Sequence, residues 1–592
     1  MSTAGSKKLI NDVDACVDEC LDGLVAVNPG LKKLAGHRVI VRSDIDSVIR
    51  KGQVGLLSGG GSGHEPAHAG YIGEGMLSTA VAGAVFTSPP PNSIQAAVRA
   101  VGKNNPGGVL MIVKNYTGDR LNFGLAAERA KAEGISVDMV VVAEDCALTS
   151  TDKTAGRRGL CGTVLIHKIA GALAEEGKTL SEIVTIARDA ATKNGWTIGL
   201  CLSPCSVPGS GPSFHIQDDE MELGLGIHGE AGVKRTKLVS AKEAVKMMLD
   251  HMTNPKTTTH LSLSAGDRVA CMVNNLGGTS VLELNIVARE AVCYLEGRGL
   301  KVDRMYCGTF MTSLQMAGVS ITLLKLDDTL CRCLDAPTSA PGWSKPYLPR
   351  GVTDRQTPGQ MTIDDSSTDT VVSGDESVSL SQEDGARLYN VLSAVSLSLV
   401  AAEGRLNSLD REAGDGDCGT TVSRGAKAIL SKLGTKDNPG LPVRNPSSLA
   451  LSLANIVETD MGGSSGALYS LFLTAAAKCL KTSAGAAAWS TALHQGIQAV
   501  TRYGGAEPGD RTMLDALYPA SSTLEKQLPQ LPPLEAFAKA VEAAQQGADA
   551  TAGMKAGAGR ASYVGAVKLN QPDPGAVAVT IWMKAALASL TS

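Results

Sequence analysis

The sequence predicts a multidomain protein, α/β in its N-terminal region and all-α in its C-terminal region, on three observations. From residue 9 to 335, short β-branched runs at residues 54–57, 109–113, 139–142 and 269–273 alternate with Ala-rich helical patterns, as in α/β sheets. Residues 336–384 are rich in Pro, Ser, Thr and Asp, with Pro337, Pro341, Pro346, Pro349, Pro358 and the run Asp364-Asp365-Ser366-Ser367, and read as a linker. Over 385–590 the period becomes helical. Leu388, Val391, Leu392, Val395 and Leu399 fall at i, i+3, i+4, i+7 and i+11, and Ala-rich stretches recur at 470–480 and 535–550.

A chain of 592 residues exceeds what one hydrophobic core supports, so about three or four compact units are expected. With 43% hydrophobic and 19% charged residues the composition is that of a globular enzyme, and a net charge of -4 offers no polybasic surface for nucleic acid or membrane. The first residues lack an apolar signal core and no run of 18 uncharged apolar residues occurs, so a cytoplasmic location is expected. The thirteen cysteines show no zinc spacing, Cys201/Cys205 and Cys331/Cys333 included, and read as reduced thiols, mostly in the core.

The densest chemistry lies in Leu409-Asp410-Arg411-Glu412-Ala413-Gly414-Asp415-Gly416-Asp417-Cys418-Gly419, with three aspartates in eight residues. Glycines allow Asp410, Asp415 and Asp417 to converge, and a hard divalent cation would relieve their repulsion. An EF-hand is excluded, because counting from Asp415 puts Thr420 at its glycine position and Ala426 at its glutamate position. Magnesium bridging nucleotide phosphates fits better; a solvated Asp-Gly turn is the competing reading. Further glycine-bearing loops border helical patterns: Met461-Gly462-Gly463-Ser464-Ser465-Gly466, Pro508-Gly509-Asp510-Arg511-Thr512-Met513-Leu514-Asp515, Gly557-Ala558-Gly559-Arg560-Ala561-Ser562-Tyr563 and Asp573-Pro574-Gly575-Ala576. Backbone N–H groups at helix starts bind phosphate, although each loop alone is also an ordinary connection. Five rather than four residues separate Gly171 from Gly177-Lys178-Thr179, so no Walker A loop competes.

In the N-terminal half, residues 54–58 read as a strand running into Gly59-Gly60-Gly61-Ser62-Gly63-His64-Glu65-Pro66, a turn of small residues that presents backbone donors ahead of His64. A second strand ends in Lys114-Asn115-Tyr116-Thr117-Gly118-Asp119, placing Lys114 and Asp119 where α/β sheets bind ligands. Gly224, Gly226 and Gly229 formally satisfy G-x-G-x-x-G, but Glu230-Ala231-Gly232-Val233 is a poor helix start, so a dinucleotide site is rejected. His228, inside that loop, reads either as a satisfied strand histidine or as an accessible imidazole.

In order and spacing, GGGSGHEPAH, KNYTGDRLNF, ELGLGIHGE and MVNNLGG, with the aspartate cluster and the C-terminal loops, resemble the dihydroxyacetone kinase family over nearly the whole chain. The resemblance implies two α/β subdomains over 9–335 and an antiparallel eight-helix barrel over 385–590. It implies ATP and Mg²⁺, the metal on Asp410, Asp415 and Asp417, and the nucleotide on Asp415, Gly416, Asp417, Cys418, Ser464, Ser465, Gly504, Thr512, Met513, Asp573, Pro574 and Gly575, with Arg511 as a candidate charge stabiliser. It further implies that His228 adds to the substrate carbonyl, that Gly61, Ser62, Gly63, His64, Lys114 and Asp119 hold the substrate hydroxyls, and that His64 and Asp119 act as acid and base. Dihydroxyacetone and glyceraldehyde are the implied substrates and a homodimer the implied assembly. Animal-type members imply a second reaction, cleavage of FAD to AMP and riboflavin cyclic 4′,5′-phosphate, for which Mn²⁺ or another divalent ion could serve. A non-catalytic regulator that binds a carbonyl ligand or a partner is the alternative. One departure stands out: Thr459-Asp460 precedes Met461 where relatives often carry Glu-Lys.

Overall fold

The computed structural model describes residues 7–148, 156–344, 377–558 and 570–592, in two compact units divided at residues 360/361. Most of the linker reading and Gly559-Arg560-Ala561-Ser562-Tyr563 lie outside the described residues.

The first unit is built on two six-stranded sheets. The first contains β1 (Leu31–Lys33), β2 (Val39–Arg42), β3 (Gly55–Ser62), β4 (Thr79–Val85), β5 (Val109–Lys114) and β6 (Val137–Val142) in the order β1-β2-β4-β3-β5-β6, with β4, β3, β5 and β6 parallel. The second contains β7 (Gly195–Cys201), β8 (Glu220–Leu223), β9 (Lys234–Lys237), β10 (Arg268–Asn275), β11 (Lys301–Gly308) and β12 (Gly318–Lys325) in the order β11-β10-β12-β7-β8-β9, with only β10 and β11 parallel. All four β-branched runs are strands. Helix Gly162–Glu175 packs against β3 and β5 of one sheet and β7 and β12 of the other, and every residue from Gly162 to Ala174 is buried, which is why its sequence is almost wholly apolar, His167 and Lys168 apart.

Two boundaries differ from the sequence reading. Strand β3 does not stop at Ser58 but runs on through the glycines, which pair with β4; a Cβ at Gly59 would lie 2.3 Å from the Val81 carbonyl. These glycines serve close strand packing rather than a turn, and a periodicity reading cannot see that. Residues 336–344 are docked on the first unit: Thr338 Oγ1 donates to Glu74 O at 2.7 Å, Gly342 N–H to Gly70 O at 2.7 Å, and Trp343 lies against Tyr306.

The second unit is all-helical. Helices Gln382–Ala401 and Glu403–Ala413 form one bent rod, followed by Cys418–Leu433, Pro446–Ile456, Gly463–Cys479, Ala486–Gly504, Leu514–Gln527, Pro533–Ala550 and Pro574–Thr591. Counting the rod once gives eight among the described residues, and the last helix packs against the first and closes the ring. The last helix is long and apolar, but Ala576–Thr580, Met583 and Ala586 are buried in the barrel and its Lys584 donates to Gln545 Oε1 at 2.5 Å. Because successive helices run up and down, the helix ends at 413 and 418, 461 and 463, 504 and 514, and 550 and 574 all fall at one end.

Candidate functional sites

In the first unit the site is assembled around His228. Strand β8 ends at Leu223, and the loop folds back on itself through Gly226 N–H to Glu230 O at 3.0 Å, without opening a helix. The His228 side chain keeps 21% of its surface exposed, so it is not sealed by packing. Phe86 and Tyr116 present edge-on contacts to its ring at 5.1 and 4.7 Å between centroids. Its Nδ1 lies 2.8 Å from Glu230 Oε1, its backbone N–H donates to Glu230 Oε2 at 3.0 Å, and its Nε2 lies 3.1 Å from His64 Nε2.

Proton positions follow from these partners. His64 Nδ1 lies 2.8 Å from the Thr312 carbonyl oxygen, which only accepts, so His64 carries its hydrogen there and offers a lone pair at Nε2. The carboxylate of Glu230 likewise takes the Nδ1 hydrogen of His228, leaving the two Nε2 atoms facing each other across a gap that a proton or an electrophile would bridge. Burial, then the nearby Lys114 charge, hold His64 well below the ordinary histidine range. Burial opposes ionisation of Glu230, but the hydrogen bond and charge of His228 outweigh it and hold the carboxyl at about 2.

Lys114, at the end of β5, and Asp119, in the first turn of helix Thr117–Ala132, are both buried. Burial lowers the Lys114 pKa and raises that of Asp119; each partly offsets the other, and Ser88 also bonds Asp119. Asp119 Oδ1 has no hydrogen-bond partner, an unmet demand in a buried carboxylate that a ligand hydroxyl would satisfy. Gly61 and Ser62 lie in β3, and two predicted donors are already engaged: Ser62 Oγ donates to Gly83 O at 2.8 Å, and Gly63 N–H to Glu65 at 3.0 Å. Sequence reasoning missed Glu230, although an acid two residues beyond a candidate imidazole in the same glycine-rich loop was a usable signal.

In the second unit Asp410, Asp415 and Asp417 each offer a carboxylate oxygen, all within 4.8 Å of one another. The Asp417 and Cys418 N–H groups donate to Asp410 Oδ2 at 2.9 and 3.0 Å, fixing Asp410 against the start of the next helix. A Cβ at Gly414 would lie 2.4 Å from Asp410 Oδ1, so only glycine permits this approach. Three oxygen-only ligands, partly open to solvent, fit a magnesium-type cation. Cys418, whose thiol is pushed up to about 12 by burial, then by the Asp410, Asp573 and Asp417 charges, places these groups together.

Around the triad stand the starts of helices Cys418–Leu433, Gly463–Cys479 and Pro574–Thr591, bringing in Gly416, Ser464, Ser465, Pro574 and Gly575, while Gly504 ends its helix at the same end. Met513 approaches Gly575, and Thr512 donates its N–H to Asp515 Oδ2 at 2.7 Å. Asp573 caps the last helix through Ala576 N–H at 2.8 Å, and burial raises its carboxyl to about 6. Arg511 is buried, donates to Gln571 O at 2.8 Å and has Nη1 3.8 Å from Asp573 Oδ1, and its Nε and Nη1 have no hydrogen-bond partner. A buried guanidinium with unmet donors fits an anionic ligand such as phosphate. The departure at Asp460 is neutralised by Lys432 at 2.9 Å.

An α/β unit with an imidazole pocket, followed by a helical barrel with an acidic, donor-rich end, defines a two-domain protein of Dak1–DAK2 architecture. The Dak1 domain model matches residues 22–342 and the DAK2 domain model residues 412–588. The chain is 53% identical to triokinase/FMN cyclase of Bos taurus over 99% of both chains, and 52% identical to triokinase/FMN cyclase of Homo sapiens over 99% of this chain and 100% of that one. It matches the crystal structure of dihydroxyacetone kinase from C. freundii in complex with AMP-PNP and Mg²⁺ with a TM-score of 0.65 at 35% identity, over 99% of this chain and 100% of that one. The chain belongs to the dihydroxyacetone kinase family.

Proposed function

We propose that this protein transfers the γ-phosphoryl group of ATP to dihydroxyacetone and glyceraldehyde, and cleaves FAD to AMP and riboflavin cyclic 4′,5′-phosphate, as a cytoplasmic homodimer. The observation that carries the first activity is the accessible His228 Nε2 facing the His64 Nε2 lone pair, with Asp119 presenting an unmet carboxylate oxygen. The proton bridging the two Nε2 atoms passes to His64. The freed His228 Nε2 bonds the carbonyl carbon, and His64 returns the proton to the carbonyl oxygen. The two rings together keep one positive charge throughout, balanced by Glu230. Glycerol has no carbonyl and is excluded from this anchor. Asp119 then accepts the proton of the terminal hydroxyl as it attacks phosphorus.

Asp410, Asp415 and Asp417 would hold Mg²⁺, which supplies charge neutralisation on the phosphates. Arg511 and the helix starts add fixed donors to the same charge. FAD cleavage requires a ribityl hydroxyl to attack the proximal phosphate and release AMP, chemistry that needs the acidic end but no carbonyl anchor. Mn²⁺ is a second candidate ion for that reaction. An ATP-coupled assay across dihydroxyacetone, D-glyceraldehyde and glycerol, beside a direct FAD-cleavage assay in Mg²⁺ and in Mn²⁺, tests the reading. Turnover of both trioses and of FAD but not of glycerol is expected; absence of ATP consumption with either triose would support the regulator instead.

A further inference from the structure

The His228 ring can act through Nε2 as a nucleophile toward the carbonyl carbon only as one of its two neutral tautomers, with hydrogen on Nδ1 and a lone pair on Nε2. Nothing about the ring enforces that choice; its surroundings must. Glu230 folds back beneath His228 so that one carboxylate oxygen accepts the Nδ1 hydrogen at 2.8 Å and the other the backbone N–H at 3.0 Å. Two donors therefore face two acceptors on one rigid group. The Arg158 guanidinium stands close to the same carboxylate. An ideal Cβ at Gly226 would lie 2.0 Å from Glu230 Oε2 and 2.6 Å from Arg158 Nη1, so both groups converge on the space this glycine leaves. Arg158 in turn donates from Nε to the buried Asp145 at 2.7 Å and from Nη2 to Gly224 O at 2.6 Å, anchoring the guanidinium to the loop that carries His228.

We propose that Glu230 is the positioning residue of the carbonyl site: backed by Arg158 in the space left by Gly226, it fixes His228 in the tautomer whose Nε2 lone pair faces the substrate. This inference rests on the reading of His228 as the carbonyl anchor. The low pKa of Glu230 accords with a carboxylate that stays ionised through the reaction, balancing the ring charge before and after the bond to carbon forms.

Glu230→Gln tests the device with little change of volume. An amide offers one acceptor to two donors, so with its oxygen on the His228 backbone N–H its NH₂ faces Nδ1, and the ring hydrogen moves to Nε2. ¹⁵N NMR of the His228 imidazole is expected to show protonated Nδ1 in the native protein and unprotonated Nδ1 in Glu230→Gln, with kcat/KM for dihydroxyacetone lowered about 10²- to 10⁴-fold. Gly226→Ala keeps every ionisable group but puts a methyl into the clamp, and is expected to give the same spectral change and a similar loss. Thermal unfolding is measured on each variant to confirm that it is folded. A protonated Nδ1 with native turnover in Glu230→Gln overturns the proposal. His228→Ala run alongside separates the two readings: if it too keeps dihydroxyacetone turnover, the carbonyl anchor itself fails.

Discussion

Among single residues, Asp119 carries the sharpest consequence. Its burial raises the carboxyl pKa, and the Lys114 ammonium, the Ser88 hydroxyl and the nearby His228 imidazole each pull it back. A base must be ionised to accept the substrate proton, so triose turnover is lost as pH falls through this raised pKa, and the acid limb of kcat sits above the ordinary aspartate range. Lys114→Met removes the strongest of those opposing influences, so Asp119 titrates higher and the acid limb moves to higher pH. A kcat–pH profile of the two proteins measures this, and an unmoved limb assigns it to another group.

For the elements, the question is what holds the acidic end together. The bent rod ends at Ala413 and the next helix begins at Cys418, and the connection is closed by Asp410 accepting N–H groups from Asp417 and Cys418. Gly414→Ala forces its methyl into Asp410 Oδ1 and displaces one of the three ligands while the exposed loop leaves the barrel core intact. The expected result is a 10- to 100-fold weaker requirement-curve midpoint for Mg²⁺ in ATP-dependent turnover, with unchanged thermal unfolding. Unaltered Mg²⁺ dependence would show that Asp410 is no ligand. The triad was legible from sequence because its members sit within eight residues of glycine-rich chain. The rest of this end was legible only as separate loops, since what unites them is the alternation of long helices. Asp515 closes one of those loops in the sequence, but nothing there showed that its carboxylate staples the turn through the Gly509 and Thr512 N–H groups. In the first unit the β-branched runs showed the strands, but the glycines of β3 read as a turn because close packing against β4 leaves no periodic trace. Arg158 gave no signal either, lying 72 residues from Glu230 in a segment without a motif.

On the scale of the whole molecule, each unit has its own apolar core, built from sheets and the buried helix Gly162–Glu175 in one and from helix faces in the other, and each carries one site. Under the proposed function the carbonyl anchor and the acidic end therefore do separable chemistry. Phosphorylating a triose needs both, because the anchored hydroxyl must receive the phosphoryl group. Cleaving FAD supplies nucleophile and phosphate from one molecule, so it needs only the acidic end. Asp417→Ala is accordingly expected to abolish both activities, dropping each by at least about 10²-fold, whereas His228→Ala should lose dihydroxyacetone phosphorylation to a similar degree and keep FAD cleavage within about twofold of the native rate. Measuring both reactions on both variants gives a two-by-two pattern. FAD turnover that survives loss of Asp417 would place the lyase chemistry elsewhere in the chain, and FAD turnover lost with His228 would mean that the flavin reaction also draws on the imidazole pocket.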